Sequence, residues 1–192
     1  MTAPTDKVDA ILAAALALFV ERGYHGTAVP SIAEHAGVAA GTIYHHFASK
    51  EELVNAVFRR WKERIAHEVH AGFPASAPPR EQFRAIWNQM AQFALANRDA
   101  YTFLEFHHHA SYLDDANKAL DAGLKQFAAM VVGRAQASGI IKPVNPVLLM
   151  ELTFGAFNGM MRAHYEGRIV LDAAMLADAE SACWDAVAGR EA

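Results

Sequence analysis

Residues 23–53 read GYHGTAVPSIAEHAGVAAGTIYHHFASKEEL, and the fold follows from how that stretch is punctuated. Gly23 stops a preceding helix, because a helix C-terminus favours a residue that tolerates positive φ. Thr27 offers a hydroxyl to cap the next helix. Ile32, Ala33 and Ala36 share one apolar face of that helix, and Gly37 supplies the tight turn that lets a second short helix cross it. The second helix, about Ala39 to His46, carries Thr42, Tyr44, His45 and His46, side chains of the kind that reach phosphates and base edges. Ser49 with Glu52 three residues on is a capping box that opens a longer helix. Short helix, glycine turn, short helix and supporting helix, in that order, spell a helix-turn-helix.

Working outward, Ile11, Ala14, Ala15, Leu18 and Phe19 recur at helical spacing, so a first helix runs from about Thr5 or Asp6 to Arg22. Leu53, Val57, Trp61, Ile65 and Val69 make one stripe on the helix after Ser49. Gly72-Phe-Pro-Ala-Ser-Ala-Pro-Pro79 then breaks helicity and reads as the clearest boundary. The expected organisation is a helix-turn-helix domain at 1–48 (motif about 28–47), a connecting helix at 49–71 and a larger helical domain at 80–192. In that last part Arg80 to Asn97 is amphipathic through Phe83, Ile86, Trp87, Met90, Phe93 and Ala94. A short helix at about Asp99–Ala110 follows, then one from Asp114 or Asp115 to Ser138, closed by Gly139. Asn145-Pro146 reads as N-cap and first-turn proline of a helix to Glu166. That helix is apolar on nearly every face (Leu148, Leu149, Leu152, Phe154, Phe157, Met160, Met161), which predicts burial by its own domain and by something else. Asp172 caps a final helix, with Leu171 and Leu176 as a hydrophobic staple. No strand alternation intrudes. The fold class is all-α, with about nine helices.

The chain has 192 residues, is 53% hydrophobic and is long enough to bury a sizeable core. No run of eighteen apolar residues occurs, so no membrane span is expected, and MTAPTDKVDA does not read as a secretion signal. A single cysteine, Cys183, allows no internal disulfide and suits a cytoplasmic setting. Net charge is −4, and residues 1–70 carry 7 Lys+Arg against 8 Asp+Glu. Binding to a polyanion would therefore fall on few cations (Lys50, Arg59, Arg60, Lys62) and on helix N-termini.

The run from Ile11 to Leu53 resembles the DNA-binding domain of the TetR family of bacterial transcriptional regulators. The match is carried by Gly23-Tyr24-x-x-Thr27, Ile32-Ala33, Ala36-Gly37-Val38, Gly41-Thr42-Ile43-Tyr44, His46-Phe47 and Ser49-Lys50-Glu51-x-Leu53. The resemblance implies a ligand-responsive homodimeric repressor on a palindromic double-stranded operator. It implies phosphate contacts by Tyr44 and Lys50, backbone or base contacts by Thr42 and His45, and a phosphate near Thr27 and the helix it starts. Ala39 and Ala40 depart from the family's polar readers and leave methyl contacts only, which shifts specificity toward operator shape.

Beyond the motif, Trp87, Met90, Phe103, Phe106, Phe127, Met130, Phe157 and Met161 read as core first. By resemblance, part of this cluster encloses a small apolar or aromatic effector. The expected pocket is Trp87, Met90, Phe103, Phe106, His107, Phe157, Asn158 and Met161, with His107 or Asn158 as hydrogen-bond partner. His107-His108-His109 on a helix would point about 100° apart and cannot converge on one ion. One is expected to face the pocket, one to be solvated and one to hydrogen-bond inside; neither metal nor cofactor is expected. Gly155 and Gly159, four apart, suit a close helix crossing, either at a dimer interface with Phe154, Leu176, Ala179, Cys183 and Val187 or within the subunit. The alternatives are an enzyme or metal-binding protein with a helical cavity, and an adaptor that keeps the fold without DNA. No nucleophile–base arrangement, zinc spacing or phosphate loop supports an enzyme.

Overall fold

The computed structural model describes residues 4–109 and 111–189. Among them nine helices form: α1 (Pro4–Gly26), α2 (Val29–His35), α3 (Ala40–His46), α4 (Lys50–Ala71), α5 (Pro79–Ala96), α6 (Arg98–Phe106), α7 (Asp115–Ala137), α8 (Pro146–Tyr165) and α9 (Ala173–Val187). The described residues contain no strand, only a single antiparallel bridge between Ile141 and Ala188.

Most helix ends have the local cause read from the sequence. Gly23 takes φ 71° and breaks the regular part of α1. Gly37 takes φ 67° in the turn between α2 and α3. Asn145 accepts from the N–H groups of Val147 and Leu148, with Pro146 behind it, and Asp172 accepts from that of Met175. Ser49 Oγ accepts from Glu52 N–H at 3.1 Å, but the Glu52 carboxylate reaches back to Ala48 N–H at 2.6 Å, one residue before the cap.

Two ends differ from expectation. Thr27 does not cap α2, whose N-cap is Ala28 without a side-chain bond. The Thr27 side chain is buried instead, and its hydroxyl donates toward the carbonyls of Leu18 (3.0 Å) and Gly23 (2.8 Å). Carbonyls left free at a buried C-terminus outcompete exposed N–H groups, which water can serve. The helix expected to reach Ala110 ends at Phe106, and His107 is extended (φ −99°, ψ 149°); Ala110 itself lies outside the described residues.

The chain folds as two compact units. The first takes the chain up to Arg64 together with Asn97–Asp121; the second takes Ile65–Ala96 and the chain from Ala122 on. The Pro-rich stretch at 72–79 is thus a loop inside the second unit. A breaker shows where a helix stops, not which core the next helix joins.

In the first unit, α6 packs on α1 and α2 on both α1 and α3. Ile11, Ala15, Leu18 and Phe19 of α1, and Ile32, Ile43, Leu53, Val54, Val57 and Phe58 after it, are fully or nearly fully buried. Tyr101 and Phe103 of α6 join them, and Phe103 stacks on Phe19 at 6.2 Å between ring centres. Each such side chain contributes about 1.5–3 kcal/mol of transfer free energy.

The second unit holds α5, most of α7, α8 and α9. Ala135, Ile141, Leu149 and Val187 make a buried cluster, with Phe83, Val132 and Trp184 half-buried against it. Glu180 is buried and forked by Arg80, whose Nη2 donates at 2.8 Å. Its own unit buries α8 on one side. Leu149, Phe157 and Met161 are buried, whereas Val147 and Leu148 are 50% exposed and Leu152 60%.

Candidate nucleic-acid interface

The helix-turn-helix is tied by its own backbone. Across the Gly37 turn, Val38 N–H donates to Ala33 O at 2.9 Å, and α2 packs on α3. Ile43 is the only fully buried residue of α3, so the helix is anchored through it and leaves Gly41, Tyr44 and His45 exposed. Tyr44 is 55% exposed, a large aromatic ring standing in solvent. His45, Ala39 and Gly41 are exposed beside it, with Ala40 and Thr42 half-buried. The N-cap of α3 is Ala39, with no side-chain bond, so the first N–H groups of α3 lack a side-chain partner.

Lys50 sits where the chain turns into α4, but its ammonium is engaged internally. It donates to Tyr24 O at 2.9 Å and Thr27 O at 3.0 Å and lies 4.2 Å from the centre of the Tyr24 ring. A lysine there clamps the end of α1 to the start of α4, with one of its three protons still unassigned to those carbonyls. Thr27, whose hydroxyl was expected toward a phosphate, has it buried and occupied. The other expected cations are also paired: Arg59 with Asp114 at 3.2 Å, Arg60 with Asp9 at 2.5 Å, and Lys62 with Glu105 (3.2 Å) and Asp121 (2.8 Å). Burial works to lower the Lys62 pKa, yet the two carboxylates outweigh it and hold the ammonium above its ordinary value.

Behind this face lies a polar framework that the sequence reading missed. Asn55 of α4 is buried, and its Nδ2 donates to Glu51 O and to Tyr112 O (2.7 Å). Its Oδ1 accepts from Asp114 N–H (2.9 Å) and from Asn117 Nδ2 (2.8 Å). Tyr112 stacks on Tyr24 at 4.3 Å between ring centres. His109, also buried, fits between: its Nε2 faces Phe103 O, which can only accept, so Nε2 carries the proton and Nδ1 accepts from the Tyr112 hydroxyl at 2.7 Å. Burial, as the largest cause, holds His109 neutral and pushes its pKa down to about 4; burial likewise lifts Tyr112 to about 12, so its hydroxyl keeps the proton it donates. The only hint in the sequence was the histidine run itself. His108 is exposed and His107 half-buried, with its pKa lowered by burial.

The expected pocket residues do not fall in one unit. Phe103, Phe106 and His107 belong to the first, where Phe103 is core; Trp87, Met90, Phe157, Asn158 and Met161 belong to the second. Among the expected interface residues, Gly155 and Gly159 face open space. Phe154, Leu176, Ala179 and Cys183 are half-buried, and Val187 lies in the buried cluster of its own unit.

A three-helix head with a glycine-turned helix pair and an outward second helix defines a helix-turn-helix DNA-binding regulator. Residues 11–57 match the family described as bacterial regulatory proteins, tetR family, and residues 58–189 match the tetracyclin repressor-like C-terminal domain. The chain belongs to the TetR family, whose members are DNA-binding transcriptional regulators and not enzymes. It is 34% identical over 116 residues to the HTH-type transcriptional repressor KstR2 of Mycobacterium tuberculosis, covering 56% of this chain and 58% of that protein. It thus spans a little over half the length of that curated relative. A TetR-family transcriptional regulator structure from Vibrio parahaemolyticus is similar with 31% identity and a TM-score of 0.76, covering 95% of this chain and 98% of that one. One from Shewanella sp. PV-4 gives 28% and 0.81, covering 96% and 99%.

Proposed function

We propose that this chain is a cytoplasmic repressor that binds a palindromic double-stranded operator as a homodimer and leaves it on binding a small apolar or aromatic molecule. The observation that carries the DNA reading is the outward face of α3, where Tyr44 stands 55% exposed on a helix anchored through Ile43. Tyr44 contacts phosphate, Thr42 and His45 contact backbone or base edges, and Ala39 and Ala40 leave only methyl contacts. Lys50 has a double role: it sets the angle at which α4 leaves the head and offers its remaining proton to a phosphate. Because the other cations are paired, few counterions are released and the salt dependence is shallow.

The dimer reading is supported by α8. Leu148, Leu152, Gly155 and Gly159 recur at helical spacing on one exposed face, the two leucines at 50% and 60% exposure. Small residues beside exposed leucines suit a two-fold helix crossing with the same face of a second copy. Two heads then meet successive major grooves about 34–36 Å apart. A gel shift with the DNA flanking the chain's own gene tests the proposal, together with light scattering at micromolar concentration. A monomer, or a dimer with no preference for that DNA over random sequence, would refute it. The effector acts through coupling of about 1–3 kcal/mol between its site and the operator, and DNA weakens effector binding by the same factor.

A further inference from the structure

The buried polar groups of this protein are satisfied almost without exception. Thr27, Asn55, Lys62, His109, Asn117 and Glu180 each have a hydrogen-bond or ion-pair partner. The one buried side-chain nitrogen or oxygen without a partner, among the described residues, is Trp87 Nε1. Trp87 is 4% exposed on α5, in the second unit. An indole N–H can only donate, and leaving it buried and unpaired is unfavourable. A fold that satisfies its other buried groups has a use for this one.

The surroundings restrict what it meets. The Phe83 ring lies 6.1 Å from the Trp87 ring, and the Phe157 ring stands perpendicular to it at 5.0 Å. Hydrocarbon rings offer no lone-pair acceptor, at best a weak π face, and a lone water would need two to four polar partners to stay. The acceptor must therefore arrive on an apolar guest. A carboxylate is the wrong acceptor, because both arginines within two turns of Trp87 on α5 are turned to Glu180. Arg80 forks it and also lies 5.1 Å from the Trp184 ring; Arg84 Nε is 3.9 Å from it. An anion beside Trp87 would be desolvated without a counter-charge.

We infer that Trp87 Nε1 is the polar contact of a ligand site inside the second unit, and that its ligand is a neutral, largely hydrocarbon molecule carrying a carbonyl-type acceptor. This rests on the effector reading above and assigns its hydrogen bond to Trp87 rather than to His107 or Asn158. Met90, half-buried one turn along α5, is a soft side chain that yields to guests of different shape.

Three probes of one skeleton test it by calorimetry on the full-length protein: butyrophenone, butylbenzene and 4-phenylbutanoate. Butyrophenone binds most tightly, and Trp87→Phe, which keeps an aromatic ring but removes the donor, weakens it about tenfold while changing butylbenzene little. In the wild-type protein with 15N-labelled indoles, the Trp87 N–H resonance moves downfield with butyrophenone and not with butylbenzene; Trp61→Phe and Trp184→Phe assign it if Trp87→Phe does not fold. Equal affinity for butyrophenone and butylbenzene, tightest binding of 4-phenylbutanoate, or an unmoved Trp87 resonance would overturn the inference. Operator release is read separately by gel shift. Trp87-dependent butyrophenone binding without release leaves this site standing and removes the switch; release by another compound with no butyrophenone binding does the reverse.

Discussion

The two units differ in how complete they are. In the first, among the described residues, every buried polar side-chain atom is bonded and Tyr44 is the only large hydrophobic side chain that stands exposed. In the second, nine such side chains are exposed among the described residues, including Leu95, Met130, Val147, Leu148, Leu152, Val170 and Met175, and Trp87 has a donor without an acceptor. A monomer rarely keeps a row of exposed leucines on one helix unless another surface covers it. The exposed leucines and the unpaired Trp87 donor of the second unit are the observations on which the proposed dimer and ligand site rest.

The largest effect should come from the exposed face of α8. Leu152→Asp puts a charge into the proposed dimer contact, costing several kcal/mol where it would be desolvated, and should give a monomer by light scattering with operator binding lost. Thermal stability of the monomer should barely change, since Leu152 contacts solvent there. A dimer that survives this variant would break the contrast between the units. Gly159→Leu, filling open space on the same face, should weaken the dimer in the same direction.

Next is pH, which probes the first unit. His109 has its pKa lowered from an ordinary value near 6.5 to about 4. The unfolded chain therefore binds its proton at higher pH than the folded one. The stability due to neutral His109 is fully present above pH 6.5, falls progressively as pH drops toward 4, and totals roughly 3 kcal/mol by linkage. Denaturant titrations between pH 7.5 and 4.5 should show this slope, and His109→Gln should flatten it. A wild-type slope unchanged in His109→Gln would show that the Phe103–His109–Tyr112 bonds carry no such weight.

Lys50 and Tyr44 sharpen the comparison within the head. Tyr44→Ala should weaken binding to all sequences by about 1–3 kcal/mol and leave the melting temperature alone. Lys50→Ala should weaken binding too, but also destabilise the protein by about 1–3 kcal/mol, since two hydrogen bonds from a charged group are lost. If Lys50→Ala keeps the melting temperature, the clamp on Tyr24 and Thr27 is not structural. The smallest effects belong to Thr42→Ala and His45→Ala, which should change preference among operator variants by about 1 kcal/mol rather than overall affinity.

What could be read from residue order alone was local: where helices start and stop. Gly23, Gly37, Asn145-Pro146 and Asp172 act on their own neighbours within a turn or two, so their signals survive without a structure. The identity of the head was legible for the same reason, because a helix-turn-helix is a short contiguous unit. Partners distant in sequence were not legible. Nothing in residues 97–121 announces that they return to α1, that Asn55 meets Asn117 sixty-two residues away, or that Thr27 turns back to α1. Nor does helical periodicity tell which apolar stripe of α8 or α9 faces inward: Leu149 and Val187 went to the core while Leu148 and Leu152 stayed outside. A stripe has the same spacing whether it meets its own unit, a ligand or a second copy, and only packing in three dimensions, where volume and hydrogen-bond satisfaction are settled at once, distinguishes them.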